Sequence, residues 1–266
     1  MSLLEIILLA IVQGLTEFLP VSSSGHLVVA NALLGALGYP PAKDLIEVSI
    51  VLHLGTLLSV LVYYRREIAR LVGEDRRVLP LLVLGTVPAA IVGVGIKKGL
   101  SDAASDAVLE NVLLAGLMFP VTAALLVWGT RHRGGDERYQ SLGWRGVLAI
   151  GSLQALAILP GISRSGATIA AGLGVGLDRR SASTFAFLLA IPAILGAGLL
   201  EGLEVMESGS TGTPVANLAA GFAVAFAVGL GALALLIRLV QRGHLDRFAW
   251  YLVPLGVAVV AWRLVG

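Results

Sequence analysis

QGLTEFLPVSSSGH, residues 13–26, decides how this chain is read. It interrupts an apolar run that begins at Ile6 and resumes after His26 through Gly38. A helix needs about 20 apolar residues to cross a bilayer, and neither arm beside the Pro20–Ser24 break has them. A helix that dips into the membrane, turns and returns fits both arms. LPGISRSGAT, residues 159–168, makes a second break of the same kind, between apolar arms from Gly146 to Leu159 and on through Leu177. Two re-entrant helical hairpins are therefore expected, at 1–38 and 144–177.

The rest of the chain supports a membrane setting. Of its 266 residues, 57% are hydrophobic and 14% charged, where soluble domains carry about 25% charged residues. Val78–Ile96, Asn111–Thr130, Ser181–Leu200, Ser208–Ile237 and Phe248–Trp262 contain no Asp, Glu, Lys or Arg. Helices are the reading for such stretches, because open sheet edges cannot face lipid. Cysteine is absent, which excludes disulfides and thiolate metal sites. The opening MSLLEII carries Glu5 and no basic residue, unlike a secretory signal. No nucleic-acid partner is expected.

The two breaks resemble each other. Gln13 precedes Leu19-Pro20 and a Ser-Ser-Ser-Gly ending; Gln154 precedes Leu159-Pro160 and a Ser-Arg-Ser-Gly ending. After each hairpin come three apolar segments, near 45–63, 79–96 and 108–129, then 182–202, 216–238 and 248–264. The chain reads as a duplication within one membrane domain spanning 1–266, with a first repeat at 1–130 and a second at 144–266. Three spans are an odd number, so the second repeat enters from the opposite side. The expected fold is an all-α polytopic membrane protein with an inverted-topology repeat, two re-entrant hairpins plus six transmembrane helices.

Charge placement sets the orientation. The connections 64–78, 130–145, 178–181 and 238–247 hold fourteen arginines: Arg65, Arg66, Arg70, Arg76, Arg77, Arg131, Arg133, Arg138, Arg145, Arg179, Arg180, Arg238, Arg242 and Arg247. The other side holds Lys43, Lys97, Lys98 and Arg263, with the acidic run Glu201, Glu204 and Glu207. Both termini are therefore expected outside, with the first hairpin entering from outside and the second from the cytoplasm.

Ionisable groups at membrane depth are costly and point to function. Three fall in the breaks: Glu17, His26 and Arg164. Gln13 and Glu17 share a helix face at i, i+4. Ser22, Ser23 and Ser24, like Ser163 and Ser165, sit where a helix N-cap is expected. Each loop then offers backbone N–H groups and a positive helix end to an anion. Arg164 adds a fork of donors matched to phosphate. A hydroxyl beside His and Glu is the composition of an activated nucleophile or an acid–base system. The plainer readings stay open. Ser, Gly and Pro suffice to turn a hairpin, and Arg164 with Glu17 suffices as a structural ion pair. His53, in HLGTLLSV, reads as packing or an interhelical hydrogen bond, and His132 and His244 as headgroup contacts.

The two breaks resemble the signature regions of the bacterial undecaprenyl-diphosphate phosphatase family of the bacitracin-resistance type, and the resemblance covers the whole chain. It implies an inverted repeat, a plasma-membrane location and an outward-facing site that cleaves the terminal phosphate from a C55 isoprenoid diphosphate, giving the monophosphate that is recycled for cell-wall polymer synthesis. The family's E/Q-x-x-x-E element falls on Gln13 and Glu17. The Gln version here weakens any two-carboxylate mechanism. The Ser-rich stretch falls on Ser22, Ser23 and Ser24, the His on His26, and the second motif on Pro160, Gly161, Ser163, Arg164, Ser165, Gly166 and Thr168. The type-2 phosphatidic acid phosphatases also use Ser-Gly-His, but their nucleophilic His would fall on Ala170, which excludes that mechanism.

The resemblance implies the following roles. Glu17, Ser23, His26 and Arg164 are the catalytic candidates. Gln13, Ser22, Ser24, Ser163, Ser165 and Thr168 are expected to bind substrate phosphate. Ser23 attacks phosphorus or positions a water, while His26 and Glu17 handle protons. A divalent cation, Mg or Ca, is an optional bridge between Glu17 and the diphosphate. Partners are the polyprenyl diphosphate, membrane lipids and, as an open alternative, a second copy in a homodimer. The competing function is a lipid-phosphate flippase on the same scaffold.

Overall fold

The computed structural model describes residues 1–38, 45–132, 134–208 and 213–265. Lys43 and Arg133 lie outside the described residues, as do the side chains of Lys97, Glu201, Glu204 and Glu207. Twelve α-helices make up the described chain: α1 (Leu3–Phe18), α2 (Ser23–Ala36), α3 (Leu45–Tyr63), α4 (Arg65–Leu71), α5 (Val78–Gly99), α6 (Asp102–Leu109), α7 (Val112–Arg131), α8 (Trp144–Leu156), α9 (Arg164–Gly174), α10 (Arg179–Ser208), α11 (Val215–Gln241) and α12 (Ala249–Val265). The only β pairing among described residues is an isolated bridge between Glu137 and Leu177.

Five helices are long and apolar enough to cross a membrane: α5, α7, α10, α11 and α12. A sixth span is available if α3 and α4, bent by 77° at Tyr64, count as one. This is a multi-pass membrane protein. Two segment boundaries differ from expectation. The segment expected at 108–129 is split, because the Asn111 side chain accepts the Leu114 N–H at 2.9 Å and caps α7, leaving α6 as a separate short helix. The segment expected at 182–202 runs from Arg179 to Ser208. At its start, Asp178 accepts the Ser181 N–H at 2.8 Å, and its Glu-rich end favours helix continuation.

The halves interlock. α1 packs on α11, and α8 packs on α5; α7 packs on α12, and α3 on α10 and α11. Without a hydrophobic drive between helices in lipid, close backbone approach must hold such pairs. A Cβ at Gly14 would lie 2.9 Å from Val228 and 3.0 Å from the Gly229 nitrogen, and one at Gly151 would collide with the Gly85 backbone.

The arginine-rich connections gather at one end. Asp75 is buried and accepts from Arg70 at 3.0 Å and from Tyr139 and Gln140 at 3.2 Å each. Burial, with Asp75 beside it, pushes the Tyr139 hydroxyl up to about 12, so it remains a donor. Residues 135–137 bond to 176–178 along the backbone, and Arg179 reaches the Gln241 carbonyl at 3.3 Å.

Candidate functional site

The two breaks meet. α1 ends at Phe18, two residues before Pro20, whose ring disfavours helical backbone in the residue before it. α2 then begins at Ser23, with Ser22 as its cap, accepting the Gly25 N–H at 3.3 Å. In the second break Ser163 caps α9 and accepts the Gly166 N–H at 3.2 Å. Ser22 Oγ also accepts the Gly161 N–H at 3.1 Å, tying one loop to the other. Gly25 makes that approach sterically feasible, since a Cβ there would sit 2.7 Å from the Gly161 nitrogen. Thr122 of α7 fixes the second loop from behind: its hydroxyl donates to the Gly161 carbonyl at 2.7 Å and accepts the Ser163 N–H at 3.0 Å.

Glu17 is the hub. It is buried, at 8% exposure. One carboxylate oxygen receives the Arg164 guanidinium in a close ion pair. The other receives Gln13 Nε2 at 3.1 Å and Ser23 Oγ at 3.3 Å, with His53 Nε2 at 3.7 Å. These groups open on a cavity of about 190 Å³, lined by Glu17, Ser23, Ser24, His53, Ser163 and Arg164 and closed on the far side by Ala193, Ile194, Ala197 and Gly198 of α10. First-turn N–H groups of α2 and α9 lack intrahelical acceptors, so both helix starts bring donors to this place.

The model of the bacitracin resistance protein BacA matches residues 6–258. The chain belongs to the BacA family. It is 46% identical over 264 residues to an undecaprenyl-diphosphatase of Rhodopirellula baltica, covering 99% of both chains. It is 41% identical over 278 residues to one of Desulfosudis oleivorans, covering 96% of each, and 32% identical over 288 residues to one of Methanosphaera stadtmanae, covering 100% of this chain and 99% of the other.

Within this BacA-family site, the expected residues separate into groups. Gln13, Glu17, Ser23 and Arg164 come together in direct contact. Ser22 and Ser24 line the cavity, their hydroxyls 3.3 Å apart. Ser163 lines it too, and bonds Ser165 at 3.1 Å. Thr168 is buried and turns its hydroxyl to the Arg164 carbonyl at 2.8 Å, so it braces α9 rather than facing the cavity.

His26 departs from expectation, because it does not line the cavity. Its Nδ1 lies 2.7 Å from the Ser22 carbonyl and its Nε2 2.7 Å from the Tyr251 hydroxyl, and the ring stacks on Tyr251 at 5.7 Å. A carbonyl can only accept, so Nδ1 carries the hydrogen, and in the neutral ring Nε2 then accepts from tyrosine. Sequence reasoning missed Tyr251, Thr122 and the placement of His53. Only His53 left a signal, an ionisable residue within an apolar helix.

The donor set does not fit a divalent cation held by the protein. Both Glu17 oxygens already receive donors, one of them a guanidinium, and no group of three or more His, Asp or Glu occurs among the described residues.

Proposed function

We propose that this chain is an integral membrane phosphatase that hydrolyses undecaprenyl (polyprenyl) diphosphate to the monophosphate and inorganic phosphate, recycling the lipid carrier for cell-wall polymers and conferring bacitracin resistance. One observation carries this reading: the Ser23 hydroxyl and the Arg164 guanidinium, from different loops, converge on opposite oxygens of the Glu17 carboxylate at the edge of one cavity.

The chemistry follows from those contacts. Arg164 and the first-turn N–H groups of α9 hold the terminal phosphate and stabilise charge spreading onto its oxygens. Ser23 Oγ attacks phosphorus; the new P–O bond forms as the bond to the bridging oxygen breaks. Glu17 takes the Ser23 proton and passes it to the departing monophosphate. Water then cleaves the phosphoserine, giving a proton to Glu17 that returns to Ser23. The small residues of α10 leave room for the first prenyl units. A Mg or Ca ion, where the reaction uses one, would supply further neutralisation of the diphosphate's charge. His26 holds the α2 turn and does not carry the proton.

The finer topology is part of this reading. The first repeat is 1–130 and the second 144–266, each a re-entrant hairpin with three spans. The exchange of partners supports it: α1 of the first half lies on α11 of the second, and α8 on α5. The arginine-rich end faces the cytoplasm, so the termini and the mouth of the site face outside. Ala193 lies 14 residues beyond Arg179 on α10, or ~21 Å along the helix, which in this reading sets the cavity well inside the bilayer. That depth also favours the second reading, movement of lipid phosphate across the bilayer.

The test is phosphate release from undecaprenyl diphosphate by purified protein. Ser23→Ala, Glu17→Gln and Arg164→Ala should each lose orders of magnitude while unfolding cooperatively. Wild-type rates in all three would end the assignment. Transfer of labelled lipid phosphate across vesicles without hydrolysis would favour the flippase.

A further inference from the structure

We propose that His53 is a second phosphate-holding cation of this cavity, carried as the imidazolium and set across Glu17 from Arg164. The proposal rests on the phosphatase reading for its natural ligand, a diphosphate.

His53 Nδ1 lies 2.8 Å from the Ser49 carbonyl, one helical turn back, and 3.3 Å from the Ser49 hydroxyl; the shorter contact is with a group that can only accept, so Nδ1 carries a hydrogen. A neutral ring would then turn the Nε2 lone pair toward Glu17 Oε2, 3.7 Å away, setting acceptor against acceptor. A protonated ring turns an N–H to that carboxylate instead. His26 shows the other outcome: its Nδ1 is anchored in the same way, on Ser22, but its Nε2 receives the Tyr251 hydroxyl.

Position makes the charge useful. The His53 side chain is 30% exposed and lines the cavity with Arg164. Two cations against one carboxylate leave the site with a net positive charge, matched to a ligand carrying several negative ones. The charged groups facing the ring are few. Glu17 faces it from α1, and Arg164 from α9 stands beyond that carboxylate. α10 contributes only Ala193, Ile194, Ala197 and Gly198 to the cavity wall.

The experiment measures binding of inorganic pyrophosphate to the detergent-purified protein by calorimetry, from pH ~5.5 to ~8, where histidine titrates, beside KM for the lipid diphosphate. Wild-type affinity should fall as pH rises and the imidazolium is lost. Pyrophosphate gains negative charge over the same range, so its own titration acts in the opposite direction. His53→Gln keeps a donor but no titrating charge; it should weaken binding ~10-fold at the acid end and flatten the pH dependence, with KM rising more than kcat falls. His53→Asn is the second variant should the first unfold. Wild-type affinity that is flat or rises with pH would overturn the proposal. So would a folded His53 variant with unchanged affinity, or one that loses kcat at unchanged affinity. His53-dependent pyrophosphate binding in a protein that leaves lipid diphosphate intact would refute the phosphatase reading and leave this inference standing.

Discussion

The two loops share one cap and differ in everything that cap presents. Ser22 and Ser163 each begin a helix by accepting the N–H of a glycine three residues on. Behind the first cap, Gln13 finds Glu17 one turn later. Behind the second, Gln154 is followed one turn later by Ile158 and is buried with neither amide atom hydrogen bonded. The residue after the cap is Ser23 in one loop and Arg164 in the other. The first loop bends through a serine at φ 69°, the second through Gly161 at φ 95°. Two helix starts thus face one point. On the proposed duplication and mechanism, one loop brings the base and hydroxyl and the other the anion-binding cation.

That division of labour can be broken at either loop. Ser23→Ala removes the proposed nucleophile and should lower kcat by ~10³ or more with little change in thermal midpoint, read by phosphate release and by unfolding in detergent. Arg164→Lys keeps the charge but loses the fork; kcat should fall ~10²-fold. Gly25→Ala acts on the seam between the loops rather than on either. Its Cβ would press the Gly161 backbone, and overpacking of that kind costs ~1–3 kcal/mol. Activity should drop ~10-fold, with a lowered thermal midpoint. Tyr251→Phe removes the donor to His26 and should cost less than ~3-fold in kcat. A loss as large as that of Ser23→Ala would return His26 to the chemistry.

The meeting of the two loops was legible in the sequence. Serines, proline and ionisable residues stand out in an apolar chain, and the placement of arginines in short connections groups those connections at one end, where they are found. The contents of the site were less so. Which way His53 faces depends on how α3 packs against α1 and α10, and no periodicity in a helix apolar on all sides reveals that register. His26 lies in the right motif, but its direction is set by Tyr251, 225 residues away. Thr122 carries the second loop from α7 and looks, in sequence, like any threonine in a span. The break at Asn111 was open to a capping argument, because Asn there caps α7 as Ser22 caps α2.

The claim that one diphosphate is acted on by both loops is tested most directly by a double-mutant cycle in phosphate release, using Ser23→Ala, Arg164→Lys and the pair together, two residues from opposite loops that, unlike Glu17 and Arg164, do not form an ion pair. If both residues act on the same phosphate, the double variant loses much less activity than the product of the single losses. Single losses that simply multiply would show the loops acting independently and would contradict the account.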